Sequence, residues 1–426
     1  MKYIITFQNK IKIITQKSLF RNTLWMFLGK VISVVMQAIY FVIVARTLGT
    51  KDFGTFMGIT ALAAIVLPFG SLGSADILTK NVSRNKVLFP IYWGNSILTT
   101  LASSSLVITF SFLVAQQILP PSIPAVVLLL ILVSDVLCLT IWNISCRAFI
   151  AVNLHKKTSL LQVSLNFTKL LSALIFFTLI PDQSLEKWSV LYLLGTASTT
   201  LFSFLMVSKI LGYPKIKPTL IKGNISQGIY FSIARSAAFV NASIDKTMLA
   251  SLSTLNATGL YAAAYRLIEV SYLPILVIFS STYAKFFKEG EQGIRNTLKL
   301  AKRLLPIILS YGILTWIGYL FFAPFIPYIL GEDYSASVPV LYWLAPMPLI
   351  VGTRFIAADT LTGSGHQKIR SFIQFCTALL NILLNYYLIP KFSWKGAVWS
   401  TLTCDILMML SLWASIAFLS RKSANS

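Results

Sequence analysis

Residues 232–266 read SIARSAAFVNASIDKTMLASLSTLNATGLYAAAYR. Two apolar helices joined by a short uncharged turn account for this pattern. The first carries Arg235, Asp245 and Lys246; the second opens on Gly259-Leu-Tyr261-Ala-Ala263 and carries Arg266 and Glu269. Charges inside apolar helices are expensive and mark function or pairing.

The rest of the chain has the same character. Of 426 residues, 56% are hydrophobic and 12% charged, with a mean hydropathy of +0.76. A soluble domain carries about 25% charge. The composition therefore predicts an all-α polytopic membrane protein, since a helix satisfies its own backbone in lipid. β-barrel strands would alternate apolar and polar residues, and these segments do not. Twelve stretches meet the length of about 20 residues that a span requires. They are 22–45, 54–78, 88–115, 123–148, 159–180, 188–211, 225–250, 257–284, 304–324, 336–360, 370–390 and 396–420. Pro68 interrupts the second, and Pro346 and Pro348 the tenth, which predicts a bent or broken helix there.

The net charge is +23. Basic loops on one membrane face explain it better than nucleic acid does. Outside the spans, Lys and Arg divide 25 to five between the two sides. Both termini then fall on the cytoplasmic side. Residues 1–18 carry four lysines without a cleavable signal pattern, and fit a basic helix on the inner surface. The connection 285–303 is basic and mildly amphipathic and is expected along the headgroups. The four cysteines all sit in apolar spans and read as buried thiols. There is no GxSxG, HExxH, Walker A or GxGxxG, so no catalytic residue, cofactor or metal site is expected.

A weak internal repeat is present. Leu48-Gly49-Thr-Lys-Asp-Phe53-Gly54-Thr-Phe56-Met-Gly58 enters the second span, and Thr258-Gly259-Leu-Tyr261-Ala-Ala263 enters the eighth. Each has Gly, an aromatic two later and a small residue four later. Six spans separate them, as in parallel repeats. The basic connection 213–223 is the natural boundary, giving halves 1–212 and 213–426.

At this point the sequence resembles the Wzx-type polysaccharide flippases, in the superfamily that holds the MATE multidrug exporters and the lipid II flippases. Ala45-Arg46-Thr-Leu48-Gly49 with Phe53-Gly54-Thr-Phe56 is similar to the ARxLGxxxFGxF signature. Asp245-Lys-Thr-Met248 with Gly259-Leu-Tyr261-Ala-Ala-Ala264-Tyr265-Arg266 is similar to the middle motif. Leu330-Gly331-Glu-Asp-Tyr334, and Asn381 with Asn385, Ile389-Pro390 and Gly396-Ala397, resemble the later ones. The resemblance implies two six-helix bundles around a central cationic cavity. It implies an undecaprenyl-diphosphate-linked oligosaccharide as substrate, moved to the outer leaflet by alternating access for O-antigen, lipopolysaccharide, capsule or another surface polysaccharide. Membrane lipid, a polysaccharide polymerase and a chain-length regulator are the expected partners of a monomer in the bacterial inner membrane. Ion coupling is left open.

Carrying a diphosphate through about 30 Å of hydrocarbon requires cations. The spans contain Lys30, Lys169, Arg235, Lys246, Arg266 and Arg354, against Asp76, Asp135, Asp245, Glu269, Asp359 and Asp405. Lys30 and Arg235, on polar helical stripes, are the first candidates for anion contact; Arg266 and Arg354 follow. Lys246 fits snorkelling or an internal ion pair, and Arg266 with Glu269 fits an ion pair. Asp245 fits either a charge network with Lys246 and Glu269 or ion coupling. Gln37, Tyr265, Tyr272, Gln374, Asn381 and Asn385 are candidates for sugar contact, with helix packing as the alternative reading. Three other functions stay in view: a MATE-type exporter, a membrane glycosyltransferase or polymerase, and a peptidoglycan-precursor flippase. The second lacks the long outer loop it would need, and the third usually carries two further helices.

Overall fold

The computed structural model describes residues 2–425, with side chains over 29–421 except at 222, 224, 227 and 234. The basic segment 1–18 and its proposed place on the membrane surface lie outside the described side chains.

The described chain is helical throughout, with no strand. Ten helical stretches are long and apolar enough to cross a membrane. The first, Gly29–Ser71, holds two helices, and Thr219–Leu252 adds one more. The total among the described residues is twelve, matching the expected spans. We number them α1 (2–48), α2 (50–71), α3 (Phe89–Ile118), α4 (Ala125–Ala151), α5 (His155–Leu179) and α6 (Leu185–Leu211). Then follow α7 (Thr219–Leu252), α8 (Leu255–Gly290), α9 (Ile294–Phe322), α10 (Ser337–Gly363), α11 (Gln367–Phe392) and α12 (Trp394–Asn425).

The punctuation is chemical. Gly49 breaks α1 from α2 at φ 68° and ψ 176°, a conformation natural to glycine alone. Gly49→Ala is expected to lower stability by about 1–3 kcal/mol, the cost of forcing a side chain into that region. Reversible unfolding in mixed micelles measures it, and an unchanged midpoint would refute it. Pro68 is tolerated near the end of α2, which stops at Leu72 (φ 43°) and Gly73 (φ 68°). The expected break in α10 is present: helix 337–344 ends and Met347–Gly363 begins after Ala345–Pro346. The turn quoted at the outset is only Ser253–Thr254, and the Thr254 hydroxyl caps α8 by accepting from the Ala257 N–H at 3.1 Å.

One expectation is corrected. Residues 285–303 are not a separate segment between two spans. They are the ends of two long helices that turn over residues 291–293. At 1.5 Å per residue the 36-residue α8 is roughly 54 Å long, well beyond the hydrocarbon thickness.

The chain forms two compact units: residues 1–47, 66–117 and 121–236, and residues 48–65, 118–120 and 237–426. In the first, Trp93 is fully buried and donates to Ser208 Oγ at 3.1 Å. Asn95 clamps the 212–218 connection from both sides: it accepts from the Lys217 N–H at 2.8 Å and donates to the Lys217 carbonyl at 3.0 Å. In the second, the repeat motifs touch. A Cβ on Gly259 would lie 2.0 Å from the Thr50 carbonyl oxygen and 3.2 Å from Gly54 N. Tyr334, fully buried, sets its ring edge-on to Phe53 at 6.3 Å. The first motif therefore meets the 330–334 motif.

Candidate functional site

Most of the charges counted in the spans meet a partner. In the first unit, Arg235 donates to Asp76 Oδ1 at 2.8 Å. Lys169 Nζ donates to the Tyr192 hydroxyl at 3.1 Å, and that hydroxyl donates to Asp135 Oδ1 at 2.7 Å. Asp135 sits where one turn of α4, Val133–Cys138, widens to a π-helix. The carbonyls loosened there are taken by hydroxyls: Ser104 donates to Val136 O at 3.2 Å and Thr200 to Cys138 O at 2.9 Å. No residue pattern in the sequence announces this wide turn.

In the second unit, Glu269 is held by two cations. Arg266 Nη1 lies 2.7 Å from one carboxylate oxygen and Lys246 Nζ 3.6 Å from the other. Lys246 also stands 4.0 Å from the centre of the Tyr265 ring. Arg354 pairs with Asp405, and Arg370 with Asp359 at 3.6 Å. Lys246 is only 6% exposed in its side chain, so it is buried rather than snorkelling to an interface. Among the described residues, Lys30 and Asp245 make no ion pair. Lys30 is exposed, as is Gln37, while Ser33 on the same stripe is buried.

Asp245 stands apart from the charge network beside it. Its carboxylate accepts from the Lys246 backbone N–H at 2.8 Å, from the Tyr261 hydroxyl and from Thr401 at 3.5 Å. Nearby, Asn385 is fully buried and donates to Asn381 Oδ1 at 3.0 Å, leaving its own buried Oδ1 without a partner among the described residues. Among the described residues no group of three His, Cys, Asp or Glu could hold a metal.

A cavity of about 370 Å³ opens within the second unit. Tyr265, Glu269 and Tyr272 of α8, Arg354 of α10 and Gln374 of α11 line it, all of them sequence candidates. Asn241, Arg370 and Asp405 line it too. Those three had weak signals: Asn241 lies one turn from Asp245, Arg370 reads as a loop cation, and Asp405 is an unassigned acid. Asn381 and Asn385 are buried in the packing of α11, and Lys30, Gln37 and Arg235 belong to the other unit. The wall carries Glu269, Asp405, Arg354 and Arg370, a formal balance of two and two.

The sequence profile of the polysaccharide biosynthesis protein family matches residues 19–290. The chain belongs to that family. An uncharacterized membrane protein of Methanocaldococcus jannaschii is 25% identical over 254 residues, 56% of this chain. The chain matches 49% of that relative's length. Two solved structures share the fold. A multidrug resistance MATE family transporter in its inward-facing conformation has a TM-score of 0.72 at 15% identity, over 91% of this chain and 96% of its own. The lipid II flippase MurJ, in an inward closed conformation, has a TM-score of 0.74 at 13% identity, over 93% and 87%. The polysaccharide family member thus has the helical fold of these transporters.

Proposed function

We propose that the protein is a flippase for undecaprenyl-diphosphate-linked oligosaccharides. It carries repeat units for O-antigen, capsule or another surface polysaccharide from the cytoplasmic to the outer leaflet of the bacterial inner membrane. The observation that carries this reading is the cavity in the second unit. It sets guanidinium groups (Arg354, Arg370), aromatic faces (Tyr265, Tyr272) and amides (Asn241, Gln374) in one space. Guanidinium forks bind phosphate oxygens, and rings and amides suit sugars. Membership of a polysaccharide biosynthesis family supports the same substrate class.

In this reading the halves 1–212 and 213–426 are the two six-helix repeats, both termini are cytoplasmic, and transport proceeds by alternating access. Lys30 contacts the anion on the first half, and Arg235, Arg266 and Arg354 on the second. Asp245, with Tyr261 and Thr401 on its carboxylate, is the candidate for ion coupling. The protein is a transporter, not an enzyme, and works as a monomer beside a polymerase and a chain-length regulator.

A deletion strain is expected to accumulate undecaprenyl-linked repeat units inside and to lose surface polysaccharide. Lys30→Ala and Arg235→Ala are expected to abolish complementation while the protein stays in the membrane. Full complementation by both variants would remove these residues from the anion path. The MATE-type reading is kept because the cavity wall is charge-balanced and the fold is shared. Altered drug resistance with normal polysaccharide in the deletion strain would favour it.

A further inference from the structure

Arg354 is not an empty anion site. Its guanidinium already holds Asp405, and the side chains are 21% and 15% exposed. A substrate phosphate that takes Arg354 must displace this carboxylate. Asp405 would then be a buried anion without its cation, a state that a low-dielectric interior does not tolerate. Protonation of Asp405 removes the difficulty. On the proposed substrate reading, we infer that binding of an oxyanion to Arg354 is linked to proton uptake by Asp405. The carboxylate is a stand-in for the substrate phosphate.

The balance is simple. Arg354 transfers its hydrogen bonds from the Asp405 carboxylate to a phosphate oxygen. Asp405 takes one proton from water and becomes a neutral acid. On release, Arg354 returns to Asp405 and the proton leaves. The loaded cavity therefore carries one negative charge fewer than the substrate brings, which lowers the cost of holding a diphosphate at membrane depth.

The geometry selects Asp405 over its neighbour. Glu269 faces two cations, Lys246 and Arg266, so losing one leaves the other. Asp405 has a single ion-pair partner among the described residues. The other groups facing it are Asp245 from α7, Tyr272 from α8 and Cys404 beside it on α12. Tyr319 of α9 lies next to Tyr272, and Arg370 of α11 with Glu269 of α8 shares the cavity wall. None of these is a second cation on Asp405.

The test uses the full chain in nanodiscs of phosphatidylcholine, a zwitterionic lipid that adds no competing anionic headgroup. Inorganic sulfate is the probe, because its charge is constant between about pH 5 and pH 8 while carboxylates titrate. Calorimetry in buffers of different ionisation enthalpy counts protons. Wild type is expected to take up about one proton per sulfate, with affinity weakening by up to about tenfold per pH unit as pH rises. Asp405→Asn is expected to bind with no proton uptake, no pH dependence and at least about tenfold tighter affinity at neutral pH. Wild type binding sulfate with no proton uptake overturns the inference alone, whatever the variants do. Arg354→Gln binding sulfate as tightly as wild type overturns both the inference and the cavity reading. The neutral double variant Arg354→Gln/Asp405→Asn controls for folding, and is expected to be stable and silent.

Discussion

Glu269→Ala is expected to lower the stability of this protein by about 1–3 kcal/mol, the cost of leaving a buried charged group without its partner. The reason is Lys246. Its side chain is 6% exposed, its ammonium lies 3.6 Å from Glu269, and its other close partners are the Ala242 carbonyl at 3.3 Å and the face of Tyr265. A carbonyl and a ring do not neutralise an ammonium. Arg266, at 29% exposure, recovers water more readily. The expected rescue is therefore specific. Lys246→Met in the Glu269→Ala background should restore most of the loss, because it removes the uncompensated charge and keeps the volume. Arg266→Met should restore less. Reversible unfolding of the purified protein in mixed micelles measures these three variants against the wild type. A loss below about 1 kcal/mol, or equal rescue by both methionines, would show that Lys246 is solvated after all.

The second large effect is at the contact between the two repeat motifs. Gly259→Ala is expected to cost about 1–3 kcal/mol, in the range for forced overpacking, and Gly259→Leu to remove the protein from the membrane. The added carbon of Gly259→Ala would meet a backbone carbonyl at 2.0 Å, and that of Gly54→Ala would meet the Leu255 carbonyl at 1.9 Å. A carbonyl of the main chain cannot rotate aside as a side chain can, so the helices must separate. One separation accommodates both methyl groups. Gly54→Ala/Gly259→Ala should therefore cost less than the two single losses added together. Additive losses in the same unfolding assay would mean that the two glycines do not share one contact. At Gly318, where an added Cβ meets nothing within 4 Å, alanine is expected to be harmless and serves as the control.

These two sites show how far residue patterns reach. The glycines were visible, because a Gly-x-aromatic-x-small step recurs six helices apart. That they touch each other was not, since periodicity identifies a helix face without saying which helix it meets. The charges behave in the same way. Six cations and six acids could be counted in the spans, and Arg266 with Glu269 could be paired because they lie one turn apart. Arg235 with Asp76, and Arg354 with Asp405, are 159 and 51 residues apart, and no local rule joins them. Tyr265, Tyr272, Gln374 and Arg354 line one cavity, whereas Asn381 and Asn385, on the same stripe as Gln374, are buried in packing. A stripe has the same spacing whether it faces a cavity or a neighbour.

Residue order alone was enough to establish an all-α membrane protein with twelve long helices, and to point to a bend or break in the tenth. Each of these follows from local terms: about 20 apolar residues to cross the hydrocarbon, and a proline that cannot continue a helix. The state of the charges follows from how the helices pack. The partner that neutralises a buried charge is chosen by which helices pack together, and that choice is made between segments far apart in the chain. It gave five of the six span cations a partner, and left Asp245 bound by hydroxyls and a backbone N–H instead of a cation.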